Sequence, residues 1–268
     1  MLSETLLKTG DVPAAYDALK SQVRAAPDDA RLRIFLFQIL CVLGDWPRAA
    51  QQLKTCVALD PAAAPMAALY GPAIAAEQTR ARVLRGETPP PFDAEGPSWL
   101  PVLWDALKKQ AAGDQQDAET LRAMALRAAP ATAGQVDGQN FEWIADADAR
   151  FGPVLEIILE GEYRWLPFAA LRRMTVQPPQ DLRDLVWAPV TLTLVCGRET
   201  GGLLPVRYPA TTSHGTSAHM LARGTDWNAA GEGTGQRMFC TPEADVPLLA
   251  LREVTIGSVA SPKAVHHG

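Results

Sequence analysis

The sequence contains few cysteines. Its 268 residues include only four, and no two of them lie close together in the chain (Cys41, Cys56, Cys196 and Cys240). A disulfide framework or a zinc site of paired cysteines needs closer spacing, so both are disfavoured. We therefore expect reduced and mostly buried thiols.

Basic charge and long hydrophobic runs are also lacking. The 25 lysines and arginines are outnumbered by 30 aspartates and glutamates, which gives a net charge of −5. Because the arginines are scattered as well, binding to nucleic acid or to an anionic membrane is disfavoured, and a protein partner or small ligand is favoured. No apolar stretch reaches about 18 residues, and the chain begins without the features of a signal peptide. We expect a cytoplasmic protein.

What the sequence does contain is a repeat with a period of 34 residues. Gly10-Asp11 recurs as Gly44-Asp45, the small residue Ala15 recurs as Ala49, and a degraded third copy starts at Gly113-Asp114. The period is that of a tetratricopeptide-like helix–turn–helix unit, in which glycine makes the turn and alanine allows the helices to approach closely. The other recurring pairs are Pro13 and Pro47, Leu19 and Leu53, Val23 and Val57, and Pro27 and Pro61.

Three further helical features follow from the pattern. Apolar residues at helical spacing spread beyond one face in residues 30–43, which predicts a central, buried helix with Asp28 or Asp29 as its N-cap. Residues 65–85 are predicted to form one helix or a helix pair. The proline-rich segment 86–97 cannot be regular helix and is predicted to be a linker laid across the helical array, before the third unit begins.

The second half of the chain has the pattern of short strands. Alternation predicts a strand at residues 141–145, whereas residues 153–161 are predicted to be a short helix whose glutamates, Glu156 and Glu160, mark its solvated face. Residues 209–235 are predicted to carry surface loops. A short helix is predicted at residues 218–223, and further strands at residues 163–165, 172–176, 190–196, 203–208, 237–240 and 248–256.

Together these elements predict an α+β fold in two parts. A tetratricopeptide-like helical array is expected at residues 1–130, and a smaller α+β domain with a mostly antiparallel sheet at residues 137–257. The boundary is placed in the small and polar residues 131–140, and residues 258–268 are expected to be a flexible tail. The hydrophobic content of 47% is enough for a full core in one large domain or two ordinary ones.

The chain offers little catalytic chemistry. Asp146 and Asp148 follow a predicted strand and could hold a divalent cation, or one of them caps a loop and pairs with Arg150. His214 and His219 lie among serines but without the signature of a nucleophile elbow. We expect no catalytic residue, no metal site and no cofactor. A ligand-binding or metal-binding enzyme with a pocket near the two aspartates stays open as the second hypothesis.

The aromatic residues supply the candidates for partner binding. Trp143, Trp165 and Trp187 lie on or beside predicted strands, which favours a core position for at least two of them, although tryptophan is also enriched at binding hot spots. The candidate partner-binding residues are Phe35, Leu36, Trp46, Trp99, Trp104, Trp143 and Trp165.

Four short sequence motifs in the part of the chain richest in aromatic residues are distinctive as a set. They are Phe-Glu-Trp-Ile-Ala-Asp at 141–146, Arg-Phe-Gly-Pro-Val-Leu-Glu at 150–156, Tyr-Arg-Trp-Leu-Pro-Phe at 163–168 and Pro-Pro-Gln-Asp-Leu-Arg-Asp-Leu-Val-Trp at 178–187. This set resembles the ImpE/TagJ family, accessory proteins of the bacterial type VI secretion system. The resemblance covers nearly the whole chain. It implies a non-enzymatic adaptor that associates with the sheath component TssB and is linked to the ClpV disassembly ATPase.

The repeat suggests how such an adaptor would hold its partner. Stacked helix pairs form a grooved surface, into which a terminal helix or an extended segment can lay its apolar side chains. We therefore expect a terminal segment of a TssB-type subunit to be the part recognised.

Overall fold

The computed structural model describes residues 2–92 and 96–257. The first half of the described chain is helical and the second half is built mainly of strands. The helices of the first half are α1 (Leu2–Thr9), α2 (Val12–Ala25), α3 (Ala30–Leu43), α4 (Trp46–Leu59), α5 (Ala64–Leu84), α6 (Trp99–Ala111) and α7 (Gln115–Ala128).

The repeat corresponds to three helical hairpins, α1–α2, α3–α4 and α6–α7. Gly10, Gly44 and Gly113 lie at the turns with φ of +90°, +72° and +87°, a conformation that glycine adopts without steric cost. The next residue is the N-cap of the second helix in each hairpin, and in the first two copies its carboxylate accepts a backbone N–H of the first turn. The equivalent small residues, Ala15, Ala49 and Ala118, are completely buried. The predicted helical repeat is confirmed.

The close helix contact at Ala49 gives a first prediction. Ala49→Leu adds three carbons at a completely buried position, so we expect overpacking to lower the free energy of unfolding by about 1–3 kcal/mol. Ala58→Leu, at an exposed position of the same helix α4, is the matched control and should change stability by less than about 0.5 kcal/mol. Chemical denaturation of both variants checks the pair, and equal stabilities would contradict the repeat alignment.

Two predictions for the longer helices are settled. Helix α3 is buried along most of its length, as expected for the central helix, and Asp29 caps it by accepting the N–H groups of Arg31 and Leu32. Helix α5 is one continuous helix of 21 residues, with Pro72 inside it, and not a helix pair.

The strands form one large antiparallel sheet and two small ones. The large sheet has the strand order β2-β1-β13-β6-β7-β8-β4-β5. Its strands are β1 (Gly134–Val136), β2 (Gln139–Phe141), β4 (Val154–Leu159), β5 (Glu162–Pro167), β6 (Leu171–Val176), β7 (Trp187–Leu194), β8 (Glu199–Pro205) and β13 (Glu253–Ile256). One small sheet pairs β9 (Thr225–Trp227) with β10 (Gly233–Gly235). In the other, the central strand β11 (Met238–Cys240) pairs with β3 (Ala145–Asp146) on one side and with β12 (Asp245–Pro247) on the other. The predicted α+β fold class is confirmed.

The helix predicted at residues 153–161 is wrong. Val154–Leu159 is strand β4, paired with β5 on one side and β8 on the other, and every residue in it is buried. A strand buried on both faces has no polar alternation, and the spacing of Glu156 and Glu160 therefore imitated a helix face. Glu160 lies in the tight turn after the strand with φ of +53°.

The strand predicted at residues 141–145 is wrong, since β2 ends at Phe141, β3 begins at Ala145 in another sheet, and residues 142–144 form no strand. Most other strand predictions hold with shifted ends. The expected closing strand at residues 248–256 is shorter and begins at Glu253. The segment 209–235 is more ordered than the predicted loops, because it contains α8 (Thr211–His214), α9 (Ser217–Met220), β9 and β10.

The large sheet lies between two hydrophobic clusters. One face packs against the helical array, where Ile158, Trp165 and Trp187 join residues of α2 to α6. The other face packs under the loops and small strands, through residues such as Leu155 and Leu192. The first cluster therefore connects the helices to the sheet in a shared core.

Three expectations about segments and cysteines have different outcomes. Strand β1 lies inside the expected boundary 131–140, so the division into residues 1–130 and 137–257 stays a prediction. The linker runs beside β5, where the Trp165 N–H points to the Pro91 carbonyl at 3.5 Å. Residues 93–95 of that linker and the expected tail 258–268 lie outside the described residues.

Cys41 and Cys56 are buried as expected and Cys240 is half-buried, but Cys196 is exposed.

Candidate interaction surface and the buried charge network

Glu156 lies at the centre of a buried charge network. Its carboxylate is fully buried on β4 and accepts two bonds from Arg80 of α5, with Nε to Oε1 at 2.9 Å and Nη2 to Oε2 at 3.0 Å. The Arg237 guanidinium and the Tyr163 hydroxyl donate to the same carboxylate. A buried carboxylate is stable only when it is paired and hydrogen-bonded in this way. The sequence prediction of a solvated Glu156 is therefore wrong.

Arg237 extends the network to Asp146 and to strand β8. Strands β4 and β8 are paired at two positions, and Arg237 Nε donates to the Pro205 carbonyl of β8 at 2.9 Å. Another guanidinium nitrogen contacts Asp146, and the group lies 5.2 Å from the ring centroids of both Phe151 and Tyr208. The arginine thus connects β4, through Glu156, with β8, through Pro205.

A second branch of the network reaches the helical array. Glu77 accepts Arg80 Nη1 at 3.3 Å and Trp187 Nε1 at 2.9 Å. The Trp187 ring in turn packs against Trp46 and Tyr70, with ring centroids 5.5 and 5.8 Å apart. Helices α4 and α5 and strand β7 therefore meet around one polar and aromatic centre.

Burial and ion pairing have opposite effects on the pKa values of Glu156 and Asp146. Burial alone would raise the pKa of Glu156, but Arg80 and Arg237 together lower it to about 2. Burial raises the pKa of Asp146, against the attraction of Arg237. Glu156 is thus the carboxylate whose charged form is most firmly held in the folded protein.

The Glu156 pKa predicts acid sensitivity. The pKa in the fold is about 2 against an ordinary 4.5, so the folded state binds fewer protons than the unfolded state between these values. The stabilisation is complete above about pH 4.5 and is lost as the pH falls towards about pH 2. We expect Glu156→Gln to lower stability at neutral pH and to flatten its dependence on pH. Denaturation of both proteins between about pH 4 and pH 2.5 checks this, because the raised pKa of Asp146 affects stability in the opposite direction mainly at higher pH. Parallel curves of stability against pH for wild type and variant would contradict the prediction.

The aspartates of the second hypothesis are already occupied. Asp146 accepts the Tyr208 hydroxyl and the Asp148 N–H, both at 2.9 Å, besides Arg237. Asp148 pairs with Arg150 through Nε at 2.9 Å and Nη2 at 2.5 Å, and accepts the Gly233 N–H at 2.9 Å. These contacts fit the structural interpretation of the two carboxylates, that is, capping a loop and pairing with arginine.

A small cavity adjoins the network but does not reach these aspartates. It lies between helices and sheet, is lined by Trp46, Glu77, Arg80, Arg207 and Tyr208 among others, and has a volume of about 90 Å³. Pockets for drug-sized ligands are typically about 300–1,000 Å³. The cavity is of a size for a few water molecules.

Side chains of the segment 207–235 form hydrogen bonds that connect all three helical hairpins to the sheet. Arg207 donates to the carbonyls of Cys41 and Val42 at the end of α3, at 3.1 and 2.6 Å. Arg223 donates to the carbonyls of Leu7 and Lys8 at the end of α1, at 3.1 and 3.3 Å. Cations are favourable at helix C-termini, where carbonyls lack helical partners. In the third hairpin, Gln110 of α6 contacts Glu232.

The candidate partner-binding residues are divided between core and surface. Leu36, Trp99 and Trp165 are buried, so they belong to the core of this chain. Phe35, Trp46 and Trp104 are partly buried against that core. Trp143 is 39% exposed, and the core position expected for at least two of Trp143, Trp165 and Trp187 is confirmed for the last two.

The histidines take part in local contacts at the surface. Ser213 Oγ lies 2.9 Å from His214 Nδ1 at an exposed site. His219 forms a capping box with Thr216 and contacts Asp226 at 3.2 Å. His214 ends α8 and His219 lies in α9, so the two residues belong to short helices and not to the predicted loops.

Sequence reasoning missed the charged members of the network. Arg80, Glu156 and Arg237 come from three distant parts of the chain, and no local spacing connects them. A weak signal was present in the apolar surroundings of Glu156, in the run Val154–Leu159. A single carboxylate within such a run predicts a buried ion pair better than a solvated face.

Comparisons with known proteins agree with this architecture. Residues 138–255 match the family described as ImpE protein, and residues 6–71 match a tetratricopeptide repeat family. The type VI secretion system accessory component TagJ of Pseudomonas aeruginosa is 45% identical over 254 residues, which is 95% of this chain and 90% of that protein. The chain belongs to the ImpE/TagJ family. Asp146, Glu156 and Arg237 lie inside the ImpE match, whereas Arg80 lies outside both matched ranges.

A solved structure shares the ImpE/TagJ chain's fold. The crystal structure of protein VPA1032 from Vibrio parahaemolyticus superposes with a TM-score of 0.88, covering 96% of this chain and 98% of that one at 23% identity. At this identity the likeness concerns the fold alone. Among the described residues of the present chain, no helix combines the length and the apolar character needed to cross a membrane.

Proposed function

We propose that this chain is a non-enzymatic adaptor of the bacterial type VI secretion system. It binds a terminal helix or segment of a TssB-type sheath subunit in the cytoplasm and is linked to ClpV-dependent sheath disassembly. Membership of the ImpE/TagJ family supports the proposal, as does the name of the Pseudomonas aeruginosa relative, an accessory component of this secretion system.

The observation that carries the proposal is the fixed helical array. Three helical hairpins are joined to the sheet by a shared core and by the arginine contacts of the segment 207–235. Because the array is held in place before a partner arrives, a partner segment can bind without first ordering the adaptor. Such preorganisation suits recognition of a short terminal segment, which has little surface of its own.

The arrangement of charged groups favours an adaptor over an enzyme. Asp146 and Asp148, the carboxylates of the second hypothesis, are engaged by Arg237 and Arg150. A general base or metal ligand must have a lone pair available to its substrate or metal. The network therefore supports a structural role for these groups, and the adaptor is the function that we propose.

The proposal is tested by moving the recognised segment. The N-terminal segment of the sheath subunit, fused to an unrelated carrier protein, should be retained by immobilised adaptor as well as the complete subunit is. The carrier alone and the subunit without this segment are the controls. Retention of the truncated subunit, with no retention of the fusion, would overturn recognition through a terminal segment. ClpV is then added to the adaptor–subunit complex to test whether it joins directly.

A further inference from the structure

Helix α5 has an exposed face without charge. Residues 61–76 contain no acidic residue, basic residue or histidine. A surface helix normally carries charged side chains opposite its buried face. On α5 the exposed positions of this stretch are instead Ala64, Pro65, Ala68, Leu69, Pro72 and Ala75, and Leu69 is 49% exposed. Contiguous apolar exposure of this kind marks an interaction site.

Two grooves flank this face. The first lies between α4 and α5, has a volume of about 470 Å³, and is lined by Ala50, Leu53, Val57, Ala67 and Gly71, with Lys54 at its side. The second lies between α5 and the large sheet and has a volume of about 530 Å³. It is lined mainly by Leu69, Pro72, Ile158, Pro189 and Leu203. The exposed α5 face is therefore a low ridge between two apolar grooves.

Polar groups at this surface indicate what a partner must offer. Lys54 is exposed and makes no ion pair within residues 2–92 and 96–257. Across the ridge, Glu160 is 69% exposed and pairs with the exposed Arg198. Pro72 has no N–H, so the carbonyl of Ala68 lacks its helical donor, and Ala68 lies in the second groove. One side of the ridge thus carries the positive charge of Lys54, and the other carries an exposed ion pair.

The geometry suits a helix better than a strand. The strands that border the second groove, β4, β7 and β8, are each paired on both sides within the large sheet, so no free strand edge lies there for a peptide to extend. The exposed uncharged positions of α5 run from Ala64 to Ala75, over 12 residues or about 18 Å at about 1.5 Å per residue. This length matches about three turns of a helix, which presents anchors at i, i+3, i+4 and i+7.

We propose that the α5 face is the docking site for an amphipathic helix of the partner. Its apolar side chains occupy the two grooves, and an acidic side chain faces Lys54. The small residues of the ridge, with Gly71 open to solvent and Gly201 and Gly202 beside the second groove, allow the two helices to approach closely. This inference rests on the proposed function and gives that function a location.

The test measures binding of a synthetic peptide with the N-terminal sequence of the sheath subunit. Leu69→Asp places a carboxylate on the ridge and should weaken binding about tenfold or more. Met124→Asp, at a 55% exposed position of α7, is the matched control and should leave the Kd unchanged. Lys54→Glu should weaken binding about threefold, and a peptide whose facing acidic residue is changed to lysine should restore it. Thermal unfolding of each variant verifies that the fold is retained.

A cross-link locates the peptide directly. A photoreactive p-benzoyl-phenylalanine at position 68 should cross-link the peptide, and the same group at position 124 should not. If the wild type binds but Leu69→Asp binds equally well and position 68 gives no cross-link, the docking site is wrong while the adaptor function stands. If the wild type does not bind the peptide at all, recognition through the N-terminal segment fails, and this site fails with it.

Discussion

Replacing Arg237 with methionine is expected to lower the free energy of unfolding by about 3–5 kcal/mol. The side chain is completely buried and joins Asp146, Glu156 and the Pro205 carbonyl. Methionine fills much of the same volume, but it leaves two buried carboxylates with fewer partners. The loss therefore comes from uncompensated charge more than from packing. Urea denaturation at pH 7 measures it.

A surface ion pair provides the control for Arg237→Met. Arg173 pairs with Glu253 across β6 and β13, with side chains 58% and 38% exposed. Such pairs contribute about 0–1 kcal/mol, so Arg173→Met should have little effect. Combining Arg237→Met with Asp146→Asn should recover part of the stability, because one of the unpaired charges is removed. Similar losses for the two single variants would contradict a central role for the buried network.

Replacing Trp187 with alanine is expected to cost about 3–5 kcal/mol. The ring is fully buried where β7 meets the helices, and it packs against Trp46 and Tyr70. Its Nε1 also donates to Glu77 at 2.9 Å. The substitution therefore leaves a large cavity and removes one donor from a buried carboxylate. Thermal or urea unfolding measures the loss.

Two further tryptophan variants are compared with Trp187→Ala. Trp187→Phe keeps part of the ring contacts but not the donor to Glu77, so it should cost about 1–3 kcal/mol, less than Trp187→Ala. Trp143→Ala, at a position that is 39% exposed, should cost no more than about 1 kcal/mol. A Trp143→Ala effect as large as that of Trp187→Ala would mean that the assignment of core and surface tryptophans is incorrect.

The helical repeat was predictable because its signals are local. Glycine, the following aspartate and the buried alanine recur at fixed offsets, and each has a separate task in the turn, the cap or the helix contact. The fold class follows from these signals and from the short strands. The resemblance of the second half to the ImpE/TagJ family is also carried by contiguous phrases, which sequence alone displays.

The charge network could not be predicted, because its partners are far apart in the chain. Glu156 and Arg80 are separated by 76 residues, and Glu156 and Arg237 by 81. Within its own segment Glu156 lies four residues before Glu160, which is the spacing of a helix face. Only the tertiary structure brings two arginines to this carboxylate and makes β4 a buried strand. The incorrect helix and the missed network thus have the same cause.

The choice of partner-binding candidates shows a related limit of sequence analysis. Aromatic residues at strand positions identify contact surfaces in general, but they do not distinguish the core of a protein from a surface that binds another protein. Trp165 therefore appeared as a candidate although it is 2% exposed. The α5 face carries no tryptophan, and its signal is the absence of charge over residues 61–76.

The most direct test of the adaptor function is a calorimetric titration of the sheath subunit's N-terminal peptide into the purified full-length protein. The adaptor account predicts saturable binding at one class of site. Because apolar burial would dominate at the proposed α5 site, the Kd should rise only modestly between about 50 and 200 mM salt. A scrambled peptide of the same composition serves as the control. Absence of saturable binding, or binding that is lost when the salt is raised, would contradict the account.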